Sequence, residues 1–483
     1  MVTRADAEKE AAEMAGIPNK EFILMTKFTP VPFVEDILKK EIIVYDKNSI
    51  LWRYDSVEGI WKPNAEQYIK THIRKNLLGD EQQKRNYVEE IVAHLKDVTH
   101  DDTFEMDNNP FLIGFENGVY DLKEEKFLSF SPKFRLTNKL RIKIDENIQD
   151  CPAIDNFFEE SVGEEFKDIL YDLCAYCLFR RYPYPKLFFI HGPANTGKSK
   201  FIELLEYFLG KENRCSVEPQ DIQKDIHATA QMEYKLANIA SDINYDALDN
   251  INQVKKITGE DSVKVRNMYK EPRNTRLYAK QIFSTNKLPI VKEKTRAWYK
   301  RVYTIEFSNI VTRDKEDPFL IEKITSEKEI QGLAFIALKR LAEMKRRNFV
   351  FEHDIDQFEM QKVYEQLSNP IMMFIEQTAK VDRNEYIYQY EFKDRLKTWL
   401  QANHFAPVSN TEINEYMREH YTNSNRKSFN GDKTYRVWAG LRWRNKDDIN
   451  GLNQFNHFNQ VSKKVYIVRS CFTTPVKTVK LVN

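Results

Sequence analysis

The sequence predicts an α/β protein of several domains, organised around a parallel β-sheet. Strand-like and helix-like segments alternate between residues 186 and 310, which is typical of a layered fold with a parallel sheet. A loop of small residues separates the first strand of this region from its first helix. The flanking segments mix short strands and helices, and 483 residues are enough for about three domains.

Composition is typical of a globular protein. Lys and Arg total 74 and Asp and Glu total 73, which gives a net charge of +1. This balance argues against a protein that coats nucleic acid with a basic surface all round, but not against local basic patches. No apolar run is long enough for a membrane span, and we recognise no secretion signal.

The five cysteines are scattered along the chain, which is typical of a protein in the reducing cytoplasm. Cys174 and Cys177 lie one helical turn apart, so we expect a buried apolar pair and not a zinc site.

Residues 1–150 are predicted to form a mixed α+β N-terminal domain. Asn117-Gly118 between alternating apolar runs predicts a β-hairpin with a type I′ turn. Residues 50–62 predict a second strand pair. The acidic cluster at residues 100–107 is interpreted as a solvated loop, with a metal site as the alternative.

Four further segments complete the predicted organisation. Residues 151–185 form a helical collar or linker, and residues 186–310 form the α/β core. Residues 311–368 are helical, and Asn369-Pro370 marks the next boundary. Residues 369–483 form a basic tail.

The tail combines positive charge with a helix–helix–strand pattern. Between residues 410 and 483 there are 13 Lys/Arg and six Asp/Glu. Ser409 and Glu412 form a capping box that starts a helix, and strands follow it. This order predicts a winged-helix-like DNA-binding domain, with a basic solvated surface as the alternative. The aromatic and arginine residues interleaved in it are Tyr435, Arg436, Trp438, Arg442, Trp443, Arg444, Phe455 and Phe458.

A phosphate-binding motif opens the α/β core. The residues that match G-x-x-x-x-G-K-[ST] are Gly192, Pro193, Ala194, Asn195, Thr196, Gly197, Lys198 and Ser199. Because a strand precedes this loop and a helix follows it, backbone N–H groups and the helix dipole can bind phosphate. Lys198 would supply charge to the outer phosphates, and Ser199 a hydroxyl to Mg²⁺. The motif therefore predicts binding of ATP with Mg²⁺.

Three residues beyond this loop are candidates for catalysis. Asp242 ends an apolar strand and is placed to hold Mg²⁺, although a loop or capping aspartate is the alternative. Asn286 ends a third strand and can orient the attacking water, or belong to a simple turn. Arg301, which follows Arg296 and Lys300, suits a finger that reaches a neighbouring subunit's nucleotide, or a surface ion pair.

The ordered set of motifs resembles a known family. The P-loop, the strand-end acid and the stretches VKKITGEDSVKVRNMYKEP, STNKLP and AWYKRVYTIEF follow one another over about 115 residues. Together they resemble superfamily 3 helicases of the AAA+ class, from small viruses, phages and plasmids, and most closely the helicase half of phage and plasmid primase-helicases. The resemblance covers residues 40–310, and the C-terminal third only loosely. It implies an AAA+ P-loop NTPase core that unwinds DNA during replication of a mobile element.

The resemblance also implies a ring, usually a hexamer, with DNA through its centre. Each subunit would send a β-hairpin into the channel, here residues 262–281 with the turn near residues 270–273. Partners would be single-stranded and forked DNA, other copies of the chain, and a primase or polymerase, in the host cytoplasm if a phage encodes the protein. An ordinary exposed hairpin is the alternative. The hairpin residues expected to contact DNA phosphates are Lys264, Arg266, Lys270 and Arg273.

The chain departs from the family at one catalytic position. Family members often carry two adjacent acids after the second strand, whereas Ser241 and Ile243 flank Asp242 here. Asp242 as magnesium ligand, as water-activating base, or as both therefore stays open, with Asp246 as a candidate helper. A primase half is not evident. Two other functions also stay open: an ATP-dependent replication initiator without processive unwinding, and a small-molecule kinase.

Overall fold

The computed structural model divides the chain into two compact units, Met1–Lys139 and Leu140–Asn483. The first unit therefore ends before the predicted boundary at residue 150, and the finer boundaries at 185, 310 and 368 stay predictions. The structure describes residues 28–444 except 79–83, 194, 242, 244–247, 249–250, 268–270, 287, 292–294, 310, 313, 315, 403–404, 406 and 428–433. Throughout these ranges no helix is both long and apolar enough to cross a membrane.

The first unit is a mixed α+β structure. A four-stranded sheet has the order β3-β2-β1-β4, and a three-stranded antiparallel sheet has the order β5-β6-β7. The helices pack their apolar faces onto the first sheet around Ile37, Ile69 and Ile91. Its elements are α1 (Val31–Lys40), β1 (Ile43–Asp46), β2 (Leu51–Asp55), β3 (Ile60–Lys62), α2 (Glu66–Asn76), α3 (Arg85–Val98), β4 (His100–Asp101), β5 (Leu112–Phe115), β6 (Gly118–Asp121) and β7 (Lys126–Leu128).

Both predicted hairpins of this unit are present, but the type I′ turn is wrong. Strands β2 and β3 pair antiparallel, and so do β5 and β6, with Phe115 opposite Gly118. The loop residues are therefore Glu116 and Asn117, and neither has the positive φ that a type I′ turn requires. Gly118 instead has φ +156°, and a Cβ there would lie 2.7 Å from the carbonyl oxygen of Leu128. Close approach of β7, and not the turn, requires this glycine.

The second unit begins with an α/β core. Its elements are α4 (Pro152–Val162), α5 (Lys167–Cys177), β8 (Leu187–His191), α6 (Lys198–Leu209), β9 (Arg214–Cys215), α7 (Pro219–Lys224), α8 (Ile226–Ala230), β10 (Ala237–Ala240), α9 (Asn252–Thr258), β11 (Val263–Val265), β12 (Arg273–Thr275), β13 (Lys280–Thr285), α10 (Arg296–Tyr299), β14 (Val302–Glu306), α11 (Leu320–Ile324), α12 (Glu327–Arg346) and α13 (Gln357–Ser368).

A five-stranded parallel sheet forms the centre of this core, as the sequence predicts. Its order is β14-β8-β13-β10-β9, so β8 has neighbours on both sides. Aromatic side chains cover both faces: Phe188 contacts Tyr176 of α5, and Phe189 contacts Trp298 and Tyr364. Because both faces are covered, β8 is an unbroken apolar run that ends in a single polar residue, His191.

The cysteine pair is buried, as expected. Cys174 and Cys177 are free thiols inside α5, which packs against α12. Burial raises the pKa of Cys177 to about 12, so the thiol stays protonated. In the described part of the chain no group of three or more His, Cys, Asp and Glu residues could hold a metal ion.

The described part of the tail consists of α14 (Pro370–Thr378), β15 (Ala379–Tyr388), α15 (Gln389–Ala402), α16 (Asn410–His420), β16 (Thr422–Lys427) and β17 (Thr434–Trp443). The strands form an antiparallel sheet with the order β15-β17-β16. The predicted capping box of Ser409 and Glu412 starts α16. Helix, helix and β-ribbon therefore occur in the predicted order, while the winged-helix interpretation stays a prediction.

Two tryptophans of the interleaved tail pattern belong to the core and not to a free surface. Trp438 is buried, and Trp443 packs against Phe374 and Phe392. Phe455 and Phe458 lie outside the described residues.

Candidate nucleotide site

The predicted phosphate loop lies at the carboxyl-terminal edge of the parallel sheet. It leaves β8 after His191 and enters α6 at Lys198. The helix buries Phe201, Leu204 and Phe208, which fixes the direction of its axis. Since 12 residues of α6 begin at this loop, the positive end of the helix dipole points into it. In open parallel sheets, ligands bind at this edge.

Glycines allow the loop to approach its neighbours closely. Gly192 has φ +147°, and a Cβ there would lie 2.1 Å from the carbonyl oxygen of Phe307. Gly197 has φ +89° and caps α6. A Cβ at Gly197 would lie 3.0 Å from Ser161 Oγ. Asn195 also has positive φ, and its carbonyl accepts a hydrogen bond from Val311 N at 2.8 Å.

The loop holds the Lys198 side chain inside it. Lys198 Nζ donates to the carbonyl oxygen of Gly192 at 2.7 Å and to that of Pro193, and lies 3.4 Å from Thr196 Oγ1. Thr196 Oγ1 in turn donates to Pro193 O at 3.0 Å. The ammonium group is buried, whereas Ser199 is exposed at the first turn of the helix. The predicted phosphate-binding charge and magnesium-binding hydroxyl therefore lie at the same helix end.

The structure brings Asn286 to the same edge of the sheet. Thr285, the last residue of β13, pairs with His191, so Asn286 follows level with Gly192. Its side chain is exposed. Strand β10 lies on the other side of β13, and Ile243 N still donates to Ser284 O at 3.2 Å. Asp242, like Ala194 and Asp246, lies outside the described residues.

Arg301 lies at the amino-terminal ends of the parallel strands, whereas the phosphate loop lies at their carboxyl-terminal ends. Its carbonyl oxygen accepts a hydrogen bond from Leu187 N at 2.7 Å, at the start of β8. The length of β8, about 13 Å at roughly 3.3 Å per residue, therefore separates Arg301 from the loop. Its guanidinium donates to Thr258 Oγ1 at 3.2 Å and to Ala297 O at 2.9 Å. Within one chain, Arg301 and Lys198 therefore do not belong to the same site.

His191 is a site residue that sequence reasoning missed. It lies beside Thr285 and Glu306 in the register of the sheet, directly before the loop. Burial and the neighbouring Lys198 ammonium lower the pKa of His191 to about 4, so its imidazole is neutral at pH 7. Its Nε2 is buried without a hydrogen-bond partner among the described residues. The sequence pattern that could have identified His191 is a polar residue at the end of an otherwise apolar strand.

The predicted hairpin is present as β11 and β12, with Lys264 opposite Asn274. Val263 and Val265 face inward, so Lys264 and Arg266 are exposed as expected. Period-2 alternation also exposes Arg276, which sequence reasoning missed. Lys270 lies outside the described residues.

Arg273 differs from the expectation. It does not lie in the turn but begins β12, opposite Val265. Its guanidinium forms an ion pair with Glu233 at 2.6 Å, and the side chains are only 14% and 7% exposed. Because this pair is largely buried, Arg273 is a structural residue of the hairpin base and not an available phosphate contact.

Two families match parts of the sequence. Residues 190–301 match a family of unknown function, DUF5906, and residues 25–163 match a family described as D5 N terminal like. The first match begins with the last residues of β8 and ends at Arg301, so it includes the phosphate loop, Asn286 and the hairpin.

Three viral relatives are similar over longer stretches. "Putative helicase L207/L206" of Acanthamoeba polyphaga mimivirus is 23% identical over 377 residues, which are 70% of this chain and 38% of that protein. "Putative helicase 121R" of Invertebrate iridescent virus 3 is 24% identical over 71% of this chain and 40% of its own length. Primase D5 of Fowlpox virus (strain NVSL) is 26% identical over 47% of this chain and 31% of its own length. The matched part thus spans about a third to two fifths of these relatives.

Among solved structures, the apo NrS-1 C terminal region aligns over 86% of this chain and 100% of its own, with a TM-score of 0.47 and 10% identity. The viral relatives and the D5-type match agree with the resemblance found in the sequence. The chain is related to the primase-helicase type of superfamily 3 helicases.

Proposed function

We propose that the chain is an ATP-dependent DNA helicase that works as a ring, most simply a hexamer, on single-stranded DNA during replication. The observation that carries the proposal is that Arg301 and Lys198 lie at opposite ends of the strands of one sheet. A finger arginine that cannot reach its own phosphate loop can serve the loop of a neighbouring copy. The names of the viral relatives, two helicases and a primase, support a role in replication.

The residues of the loop fit a nucleoside triphosphate. Gly192 and Gly197 remove side chains where the backbone must approach phosphate oxygens, and the end of α6 favours anions. Lys198 would exchange its contacts with Gly192 O and Pro193 O for phosphate oxygens. Bound ATP would supply the phosphoanhydride bond, with Mg²⁺ neutralising its charge. Ser199 and Asp242 are the proposed magnesium residues.

Other residues of the edge would act on water and on charge. Asn286 is exposed level with Gly192, where its amide can orient a water molecule. Asp242 would activate that water, hold Mg²⁺, or both. Arg301 of the next copy would stabilise the charge that develops in the transition state.

The hairpin provides the proposed contact with DNA. Lys264 and Arg266 are exposed on β11 and just beyond it, and phosphate contacts of this kind do not depend on base sequence. A motor needs such tolerance because it moves over every sequence. The helix–helix–ribbon tail would bind DNA separately, and a primase or polymerase would work on the unwound strands.

The first test measures ATP turnover with and without single-stranded DNA. Wild type should be stimulated by DNA, and Lys198→Ala should abolish turnover. Lys200→Ala is a matched control, because Lys200 lies on the same helix but is exposed and paired with Glu203 at 3.2 Å. Turnover that survives in Lys198→Ala would show that another site hydrolyses ATP. Turnover without DNA stimulation would favour a small-molecule kinase.

The second test examines the shared site. Arg301→Ala should bind ATP but not hydrolyse it, and mixing it with wild type should lower turnover more than dilution does. Arg296→Ala is the control, because Arg296 is a nearby exposed arginine whose guanidinium lies over Phe358. Full turnover of Arg301→Ala would remove the finger role. Displacement of a strand from a tailed duplex separates a helicase from an initiator that only melts or marks DNA.

A further inference from the structure

A cluster of tyrosines lies where β15 meets α15. Tyr386 and Tyr388 belong to the end of β15, Tyr390 to the first turn of α15, and Tyr435 to β17. Ring centroids are 5.4 Å apart for Tyr386 and Tyr388 and 5.6 Å apart for Tyr388 and Tyr390. Tyr435 lies 5.6 Å from Tyr388 and 5.9 Å from Tyr390. We call these four residues the tyrosine cluster.

The cluster is not part of the hydrophobic core of the tail. Ile387 pairs with Trp438, and both belong to that core together with Phe392. Because side chains alternate along a strand, Tyr386 and Tyr388 project from the face opposite Ile387. Tyr390 is 60% exposed. Tyr390 therefore presents a ring to solvent at the border of this core, while Tyr386, Tyr388 and Tyr435 are partly buried beside it.

A cavity of about 560 Å³ adjoins the cluster, between α15 and α16. Tyr390 contributes to both, so the ring surface continues into the cavity. Leu396, Leu400 and Ile413 form an apolar floor, and Phe405 adds a further ring, which stacks on Trp399. A ligand here would find flat aromatic surfaces beside an apolar floor.

The rim of the cavity carries two ammonium groups. Lys393 and Lys397 lie one turn apart on α15, and both line the cavity. Among the described residues neither forms an ion pair, in contrast to Arg395, which pairs with Glu391 at 2.7 Å. Asp394 also lines the cavity, so one carboxylate accompanies the two cations. The balance favours an anionic ligand.

We propose that the tyrosine cluster and this cavity form a binding site for single-stranded nucleic acid. Bases would stack on Tyr388, Tyr390 and Tyr435, and phosphates would lie against Lys393 and Lys397. An acidic peptide would satisfy the lysines but would leave the row of rings unexplained.

This site rests on the proposed function, which gives the tail a DNA contact separate from the β11–β12 hairpin, and it names the residues of that contact and the single-stranded form of the ligand. It would hold a second stretch of the strand on the tail. Neither ATP nor Mg²⁺ is needed for it, so it can be studied without nucleotide.

Photocrosslinking tests the site directly. The full chain is irradiated with iodouridine-substituted oligonucleotides, as DNA and as RNA, and the attached residues are mapped by mass spectrometry. Attachment to Tyr388, Tyr390 or Tyr435 is the expected result, and the two oligonucleotides distinguish a DNA site from an RNA site. Attachment only elsewhere on the chain would overturn the proposal.

Affinity measurements give an independent test. Tyr390→Leu should weaken oligonucleotide binding at least about fivefold, the equivalent of the roughly 1 kcal/mol at the lower end of base–aromatic stacking. Tyr207→Leu is the matched control, since Tyr207 is 59% exposed but lies on α6, and its binding should equal that of wild type. Replacing both Lys393 and Lys397 by Gln should reduce the slope of log K against log salt by about 1.4.

The remaining outcomes are also decisive. Unchanged affinity in Tyr390→Leu, or an equal loss of duplex and single-strand binding, would overturn the single-strand assignment. An acidic peptide that displaces the oligonucleotide and binds more tightly would do the same. Lys198→Ala should lose ATP turnover yet keep the crosslink to Tyr390, so failure of the motor and failure of this site give different results.

Discussion

Replacing Gly192 by Ala tests the geometry of the phosphate loop. The new Cβ would meet Phe307 O at 2.1 Å and Phe307 C at 3.0 Å, whereas real Cβ contacts are essentially never below 3.0 Å. The loop and the end of β14 must therefore separate by about 1 Å. That movement strains the hydrogen bond from Phe307 N to His191 O, now 2.8 Å. A lost buried hydrogen bond costs about 1–3 kcal/mol, and the positive φ of alanine adds about 1 kcal/mol.

We therefore expect Gly192→Ala to lower the free energy of unfolding by about 2–4 kcal/mol. It should also weaken ATP binding, because the same movement displaces the backbone N–H groups of the loop that would contact phosphate oxygens. Chemical denaturation measures the first effect, and titration with a fluorescent ATP analogue measures the second.

Gly163→Ala is the matched control. Gly163 has φ +88° but no atom within 4 Å of an added Cβ, so alanine there carries only the penalty of positive φ. If Gly192→Ala were no less stable than Gly163→Ala and bound nucleotide equally well, close approach of the loop to β14 would not be the reason for this glycine.

Three further predictions concern buried and exposed cations. Burial lowers the pKa of Lys280 from 10.5 to about 7. Between these two pH values the unfolded chain binds more protons than the folded chain, so the free energy of unfolding should rise with pH. Lys280→Met should remove up to about 1.4 kcal/mol of that rise per pH unit, as measured by urea unfolding at neutral and alkaline pH, and an unchanged pH dependence would contradict it. Arg273→Gln should destabilise the fold by about 3 kcal/mol, because it removes the cation that pairs with the largely buried Glu233 carboxylate. Lys264→Gln should leave the free energy of unfolding unchanged and reduce the slope of log K against log salt for single-stranded DNA binding by about 0.7. If Arg273→Gln changed only DNA binding and Lys264→Gln changed only stability, the roles given to these two hairpin residues would be refuted.

Features that depend on neighbouring residues were predictable from the sequence. The loop between β8 and α6 follows from an apolar run, small residues and an apolar-periodic helix. Ser409 and Glu412 start α16 through contacts only three residues apart. The alternation of Val263, Lys264 and Val265 predicts which side chain of β11 is exposed.

Features that depend on distant chain segments were not predictable. Gly118 is required by the approach of Leu128, and not by the turn that its sequence context favours. Arg273 and Lys264 are both cations of one hairpin, yet within the described ranges only Arg273 pairs with a carboxylate, that of Glu233. The place of His191 inside the sheet, between Thr285 and Glu306, depends on the two strands that flank β8.

The sequence by itself determined the phosphate loop and its helix, because periodicity and glycine placement act over a few residues. Only the tertiary structure decided that Asn286 joins this loop and that Arg301 lies a strand's length away. Parallel pairing aligns the carboxyl ends of strands that are distant along the chain, and no local pattern encodes which strands become neighbours.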